Sequence, residues 1–491
     1  MLTDNPTICA VATSGLGAIA IIRVSGPDTF LVVRQIFYPA DVKLKIESAQ
    51  PYTIHYGTIR SGNLIIDEVL VSLFRAPHSY TGEDVIEISC HGSPYIQKTI
   101  LELLINHGAI PAKPGEFTRR AFLNGKMDLS QAEAVADLVA AESEASHAVA
   151  MQQMRGGFSE KIKELRKRLL HFISLIELEL DFSEEDVEFA DRKQLSSLID
   201  EIYALVENLR DSFQLGNIIK NGVPVAIVGR PNVGKSTLLN AILNEDRAIV
   251  SDYEGTTRDA IEDTISIGGV IFRFIDTAGI RETAEPIEKL GIRRTYQKIG
   301  QASIILLLAE AEDDMELVRG SMEVIRQQIT VCSRQSSFEK VSEDSAGKPR
   351  SPGLETGKQL VLVINKSDKA DKSTKEKLIN GLSLLEKEHV IAISAKMNEN
   401  IHELKNLLLN IVNAGSMKHR DIIITNIRHF NALKSASESL IRVREGLGSS
   451  LPADLLSQDI RETLHYLGEI TGEVTTDEIL ENIFRNFCIG K

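Results

Sequence analysis

The chain has 491 residues, 43% hydrophobic and 25% charged, with a formal net charge of −14. That length exceeds one core and predicts two to four domains of an ordinary soluble globular protein. The negative balance argues against a general nucleic-acid binder, so any RNA substrate would need local basic patches or a partner that holds it. Four scattered cysteines, Cys9, Cys90, Cys332 and Cys488, make no C-x-x-C pair. They exclude a disulfide framework and a zinc site, and they suit a reducing cytoplasm. No apolar run approaches the ~20 residues of a membrane span, and Met1 to Ala10 lacks the order of a signal peptide, so no membrane role is expected.

Residues 1–121 read as one mixed α/β region. Strands are predicted over Ile8 to Thr13, Ile19 to Val24, Tyr52 to Arg60, Leu64 to Phe74 and Val85 to Ser89, with Ser61-Gly62-Asn63 as a turn. Helices are predicted over Phe30 to Phe37 and Tyr95 to Asn106. Gly15-Leu16-Gly17-Ala18-Ile19-Ala20 has the spacing of a dinucleotide fingerprint. The run that follows ends at Ser25-Gly26-Pro27 and reads as a strand, whereas that fingerprint needs a helix, so the match is rejected.

From about 122 the pattern is helical. Ser130 to Glu133 reads as a capping box before an alanine-rich run. Helix continues to about Phe182 with a break at Gly156-Gly157, and resumes from Arg192 to Leu215. Asn221-Gly222 marks a boundary. Residues 221–414 then alternate strands and helices, as a doubly wound sheet does, with Ile304 to Leu308, Leu360 to Ile364 and Val390 to Ile393 as parallel strands. Ser333 to Lys358 is rich in Ser, Glu, Lys, Pro and Gly without periodicity and reads as a flexible insertion. Helices return over Arg428 to Glu445, Leu455 to Leu467 and Thr476 to Phe487. Helix before and after an α/β segment suggests one helical domain, 122–220 and 415–491, interrupted by another domain.

Within that inserted segment, Gly229-Arg230-Pro231-Asn232-Val233-Gly234-Lys235-Ser236 has the form of a phosphate-binding P-loop. An apolar strand precedes it and a helix starting near Thr237 follows. The glycines let backbone N–H groups turn toward phosphate oxygens, and the helix N-terminus adds positive potential. Lys235 would reach the β- and γ-phosphates, and the Ser236 hydroxyl would bind Mg²⁺. Asn365-Lys366-Ser367-Asp368 after a strand selects guanine, because the Asp368 carboxylate accepts the two donors that adenine lacks. Ser394-Ala395-Lys396 completes the base pocket. Asp276-Thr277-Ala278-Gly279 follows another strand; Asp276 would hold Mg²⁺ through water and the Gly279 N–H would sense the γ-phosphate. Thr257, in Gly255-Thr256-Thr257-Arg258-Asp259, is the expected switch threonine for Mg²⁺. Together these motifs predict GTP binding and hydrolysis.

Hydrolysis needs a group that orients water. Ile280 occupies the position where Ras-like proteins carry glutamine and cannot serve. Glu282, Glu285 and Glu288 are nearby acids. Arg258, Arg281, a partner's arginine or a bound cation could supply the missing positive charge.

Further stretches complete a pattern: Tyr80 to Asp84, Pro114 to Thr118, Arg120 to Lys126, and the carboxyl-terminal Phe487 to Lys491. With the P-loop and the 255–259 segment they resemble, along the whole chain, the tRNA-modification GTPases called MnmE or TrmE. Ser333 to Lys358 departs from that resemblance. The resemblance implies a folate-binding, dimerising N-terminal domain (1–121), a split helical domain and an inserted Ras-like G domain. It implies a homodimer working with the flavoprotein MnmG (also called GidA) to add an aminomethyl or carboxymethylaminomethyl group at C5 of the tRNA wobble uridine. It also implies 5-formyl-tetrahydrofolate or a related folate contacting Arg23, Glu83, Lys126 and Lys491. A K⁺ ion in place of an arginine finger would be held by the Asn232 side chain and the Ser251 to Thr256 loop, with Ser251, Tyr253 and Thr256 as ligands. Glu288 is the implied water-positioning acid, and Cys488 would lie near the folate. A carboxyl-terminal lipid anchor is not expected, because Gly490 is not aliphatic and Lys491 is a poor terminal residue for one.

Two other classes stand beside this reading. A ribosome-assembly GTPase often carries a second G domain or a KH module, and neither is visible. A signalling switch would leave the N-terminal region without a purpose.

Overall fold

The alternation of buried and exposed residues along Leu64–Phe74 puts Val69, Val71 and Leu73 on one face of a strand, the period-2 pattern of a half-buried sheet. In the computed structural model this strand is an interior strand of a seven-stranded sheet. The structure describes residues 5–13, 17–181, 192–244, 263–275, 299–336, 358–370, 381–382, 384–385, 388–414, 423–449, 453–485 and 487–490. Two compact units divide the chain. One comprises 1–140, 150–206 and 432–491; the other comprises 141–149 and 207–431.

In the first unit the strands are β1 (Ile8–Val11), β2 (Ile19–Ser25), β3 (Phe37–Pro39), β4 (Ile54–Ser61), β5 (Leu64–Phe74), β6 (Val85–His91) and β7 (Ile110–Pro111). Their order is β3-β4-β5-β6-β2-β1-β7, antiparallel except for the β1–β7 edge. Ile22, Val24, Val71, Leu73, Ile86 and Ile88 pack with Ile100 and Leu104 of the helix Pro94–Asn106. Each such buried aliphatic side chain contributes about 1.5–3 kcal/mol. β2 is a strand throughout, so Ile19 and Ala20 do not open the helix that the dinucleotide fingerprint needs. The helix read over Phe30 to Phe37 is shorter, Thr29–Val33, and Phe37 starts β3; β-branched Val32 and Val33 end a run that has no further helical turn to join.

Helices Glu116–Leu123, Leu129–Val139, Gly157–Asp181, Ala453–Thr471 and Asp477–Arg485 also belong to this unit, with parts of Arg192–Asn221 and Ile427–Gly448. The capping box lies two residues earlier than the sequence suggested. Asp128 caps, accepting from the Gln131 N–H, and the Gln131 side chain returns to the Asp128 N–H. Ser130 and Glu133 are instead buried within the helix. Leu480 and Phe484 pack on Leu129 and Ala132, which brings the chain's end back to the N-terminal region.

The second unit holds β8 (Val223–Gly229), β9 (Asp263–Ile267), β10 (Val270–Phe274), β11 (Ile304–Glu310), β12 (Gln359–Asn365) and β13 (Glu388–Ala392). The order is β13-β12-β11-β8-β10-β9, parallel except for β9. Near-continuous apolar runs in β8, β11 and β12 are buried on both faces, as parallel strands under helices require. Order reverses at β8, between β11 and β10, so a crevice opens at the carboxyl end of β8. The helix Met315–Ser336 takes in the first four residues, 333–336, of the stretch read as an irregular insertion; residues 337–357 lie outside the described residues. No described helix is long and apolar enough to cross a membrane.

Candidate functional site

The P-loop sits at that switch point, between β8 and the helix Lys235–Asn244. Its carbonyls are held by side chains. Lys235 Nζ donates to Gly229 and Arg230, both at 2.8 Å; Lys366 Nζ donates to Asn232 at 3.0 Å; Asn365 Nδ2 donates to Val233 at 2.8 Å. A trans peptide sets each N–H opposite the carbonyl it follows. The Val233 and Gly234 N–H groups therefore point away from Lys366 and Asn365, the disposition that suits phosphate oxygens. Gly234 has φ +94°, and a Cβ there would lie 2.4 Å from Asn365 Nδ2, so only glycine lets the loop pass this close. Ser236 and Thr237 are exposed in the first helical turn, where a hydroxyl can meet a cation bound to phosphate.

Asn365, at the end of β12, is 2% exposed. Besides holding Val233, its Oδ1 accepts from the Ala395 N–H at 3.0 Å. One amide thus joins the P-loop to the 394–396 loop, and both loops to the strand that presents Lys366 and Asp368. Ser394 Oγ donates to Asp368 Oδ1 at 2.6 Å. That hydrogen bond is the main reason the Asp368 carboxyl is held below the usual carboxylate range. An ionised carboxylate is acceptor-only, as reading two guanine donors demands. Of the sequence-derived site residues, Asn232, Val233, Gly234, Lys235, Ser236, Thr237, Asn365, Lys366, Asp368, Ser394, Ala395 and Lys396 belong to this one crevice edge. Ser251, Tyr253, Thr256, Thr257, Asp276, Thr277, Ala278, Gly279 and Glu288 lie outside the described residues.

Sequence reading missed two acids here. Glu310 pairs with Lys366, and Asp313 pairs with Arg230 at 3.0 Å. The available signal was an acid closing the apolar run of β11, beside the switch point.

The second cluster lies in the first unit. Arg23 on β2 stands directly across from Glu87 on β6 and pairs with it at 2.8 Å. Its guanidinium carbon is 5.2 Å from the Tyr80 ring centroid and 5.5 Å from that of Phe117, within cation–π range. Its Nη1 also donates to the Gly490 carbonyl. Glu83 accepts from Ser25 Oγ at 2.7 Å and from Arg120 Nη1 at 3.1 Å. Arg120, 4% exposed, donates further to Glu116 and to the Pro6 carbonyl, both at 2.9 Å. Lys126 Nζ donates to the Pro77 carbonyl at 2.9 Å. Arg23 and Glu83 share one side of this unit; Lys491 lies outside the described residues, one position beyond Gly490. The part of Arg120 as the buried cation behind Glu83 was not legible in the sequence.

Comparison with known proteins adds kinship. The family model "GTP-binding protein TrmE N-terminus" matches residues 7–126, and "MnmE helical domain" matches residues 129–488. A tRNA modification GTPase MnmE of Bacteroides thetaiotaomicron is 53% identical over 490 residues, covering 99% of this chain and 100% of that one. One of Christiangramia forsetii is 53% identical over 492 residues, covering 99% of each. Among solved structures, the G domain of the T. maritima FeoB iron transporter overlaps 38% of this chain and 98% of its own, at 21% identity and TM-score 0.23. That overlap is too loose to add to the fold assignment. Two family models end to end, and full-length relatives at about half identity, lead to one conclusion: the chain belongs to the MnmE family of tRNA modification GTPases.

Proposed function

We propose that this protein is a K⁺-activated GTP hydrolase that acts with a flavoprotein partner of the MnmG (GidA) type on tRNA. The pair adds an aminomethyl or carboxymethylaminomethyl group at C5 of the wobble uridine, drawing a one-carbon unit from 5-formyl-tetrahydrofolate or a related folate. The observation that carries this reading is the kinship along the entire chain, 53% identity to a relative named a tRNA modification GTPase. In keeping with it, we assign residues 1–121 to folate binding and dimerisation, 122–220 with 415–491 to a split helical domain, and 221–414 to the G domain.

The residues present suit these roles. Lys235 and the loop N–H groups hold phosphates; Asp368, Asn365 and the 394–396 loop read guanine. Mg²⁺ needs hard oxygen donors, and the exposed Ser236 hydroxyl with Thr257 and the Asp276 carboxylate are such a set. K⁺ would be held by Asn232, Ser251, Tyr253 and Thr256, and Glu288 would orient water. A folate carries carboxylates and a flat pteridine ring. Arg23, flanked by Tyr80 and Phe117, is a cation beside aromatic faces that suits such a molecule. Glu83, Lys126 and Lys491 would complete that site. When bound, the folate supplies the one-carbon unit; the chain's residues bind and orient it.

The test is wobble-uridine modification, measured by mass spectrometry of tRNA from a strain lacking the gene. The modification should disappear, return with the wild-type gene, and stay absent with Asp368→Asn. Unchanged modification in the deletion strain would overturn the tRNA role.

A further inference from the structure

Two cationic side chains at the P-loop, Lys366 that reaches it and Arg230 that belongs to it, are held by one turn. Lys366 Nζ reaches the Asn232 carbonyl at 3.0 Å, and Glu310 pairs with that same ammonium. Three residues on, Asp313 takes Arg230 Nη2 on Oδ1 at 3.0 Å and the Glu310 N–H on Oδ2 at 2.9 Å. The Asp313 N–H donates to the Glu310 carbonyl at 3.0 Å, and the Ala311 N–H donates to the Asn365 carbonyl at 2.9 Å. The turn is thereby fixed to β11 and β12, where Glu310 lies level with Asn365. It acts on the P-loop at residues 230 and 232, on either side of Pro231.

Asn232 has φ +63°. Asparagine tolerates this left-handed conformation without favouring it, so the surroundings must over-determine it. Lys366, aimed by Glu310, holds its carbonyl. Asp313, by gripping the Arg230 side chain, anchors the loop on the other side of the proline. We infer that the turn Glu310–Asp313 is a positioning device that keeps the P-loop in its phosphate-binding shape around bound nucleotide and so sets how long the protein retains GDP. This rests on nucleotide binding at the Gly229–Ser236 loop. Without the turn's two acids, each binding event must reorder the loop, and that cost appears as weaker binding. Ground state and transition state both need the ordered loop, so the loss falls on KM more than on kcat.

The experiment uses the full-length protein, a fluorescent GDP analogue and stopped-flow release. Both ion pairs are partly exposed, with Glu310 25% and Arg230 52% accessible, so each arm should have a modest effect. Glu310→Gln and Asp313→Asn should each speed release about threefold to fivefold, with association within about twofold of wild type. GTP KM should rise by more than kcat falls. Glu310→Asp, which keeps the charge, should fall between wild type and Glu310→Gln. A purely structural role would instead lower the unfolding midpoint and leave release unchanged. Wild-type release rates in both folded variants would overturn the inference, as would a fall in kcat at constant KM. Asp313→Asn reads its arm independently if Glu310→Gln does not fold. A wild-type protein that fails to retain the GDP analogue would overturn the nucleotide site itself.

Discussion

Arg23 and Gly490 are 467 residues apart in the chain, yet Arg23 Nη1 donates to the Gly490 carbonyl at 3.3 Å. Gly490 has φ +93°, and a Cβ there would stand 2.2 Å from the Val11 carbonyl, so only glycine fits so close to β1. Two residues earlier, the Cys488 carbonyl accepts from the Gly115 N–H at 3.4 Å. A chain end is normally frayed; this one is tied to the N-terminal sheet beside the proposed folate residues. Removal of residues 488–491 should therefore weaken 5-formyl-tetrahydrofolate binding about tenfold or more, the worth of one charge-assisted hydrogen bond. GTP hydrolysis should be largely unaffected. Equal folate affinity in calorimetry of full-length and shortened protein would refute the tail's part.

Asp368 should set base choice. Asp368→Asn exchanges an acceptor for a donor, so it should lose GTP and gain xanthosine triphosphate. The pH dependence follows from the lowered carboxyl value. A depressed carboxyl contributes above its ordinary value near 4 and is lost only as pH falls through the lower folded value. GTP affinity should thus stay flat from about pH 8 to about pH 5 as far as this group is concerned. Unchanged GTP affinity in Asp368→Asn would remove the carboxylate from the base pocket.

The P-loop, the guanine motif and the parallel strands were legible because each rests on local chemistry. A glycine must sit where Asn365 approaches, and Asn365 must follow a buried strand to reach Val233. Strand β2 was legible because the short run before Ser25-Gly26-Pro27 leaves no room for a helix. What escaped reading depends on partners far away in sequence. Glu116 is an i,i+4 neighbour of Arg120, but nothing near Arg120 signals that Glu83 will meet it, and the acid that closes β11 does not itself name Lys366 as its partner. The cap at Asp128 was misplaced because Ser130 and Glu133 match the same spacing as Asp128 and Gln131; tertiary burial of Ser130 decided between them.

Arg120 supports the first unit by charge as well as contact. It is 4% exposed and meets Glu83, Glu116 and the Pro6 carbonyl. Removing one partner of a buried ion pair strands the others, at a cost of about 3–5 kcal/mol. Arg120→Ala should destabilise this unit by that order in urea unfolding, whereas Arg119→Ala, whose contact with Asp477 is exposed at 3.5 Å, should cost less than about 1 kcal/mol. Equal small losses in both variants would show that Arg120 is replaceable.

GTP hydrolysis should depend on K⁺ through Asn232. The backbone carbonyl of Asn232 faces the Lys366 ammonium at 3.0 Å, and a second cation would be repelled there. Its side chain is exposed, and the amide oxygen is the proposed ligand. The segment 251–256, outside the described residues, would supply the remaining oxygens. A fixed ring of oxygens suits one ionic size, so Na⁺ should be too small and Cs⁺ too large. The ion would offset charge that builds between the β- and γ-phosphates as the bond breaks, a gain realised mainly in the transition state. Steady-state hydrolysis in matched KCl, NaCl and CsCl should show stimulation by K⁺ alone, about tenfold or more. Asn232→Ala should lose that stimulation while keeping GTP affinity within a few-fold, because Lys366 holds the backbone and not the side chain at this position. Equal wild-type rates in the three salts would eliminate the K⁺ mechanism. Stimulation that survives Asn232→Ala would keep the ion and remove Asn232 from its ligands.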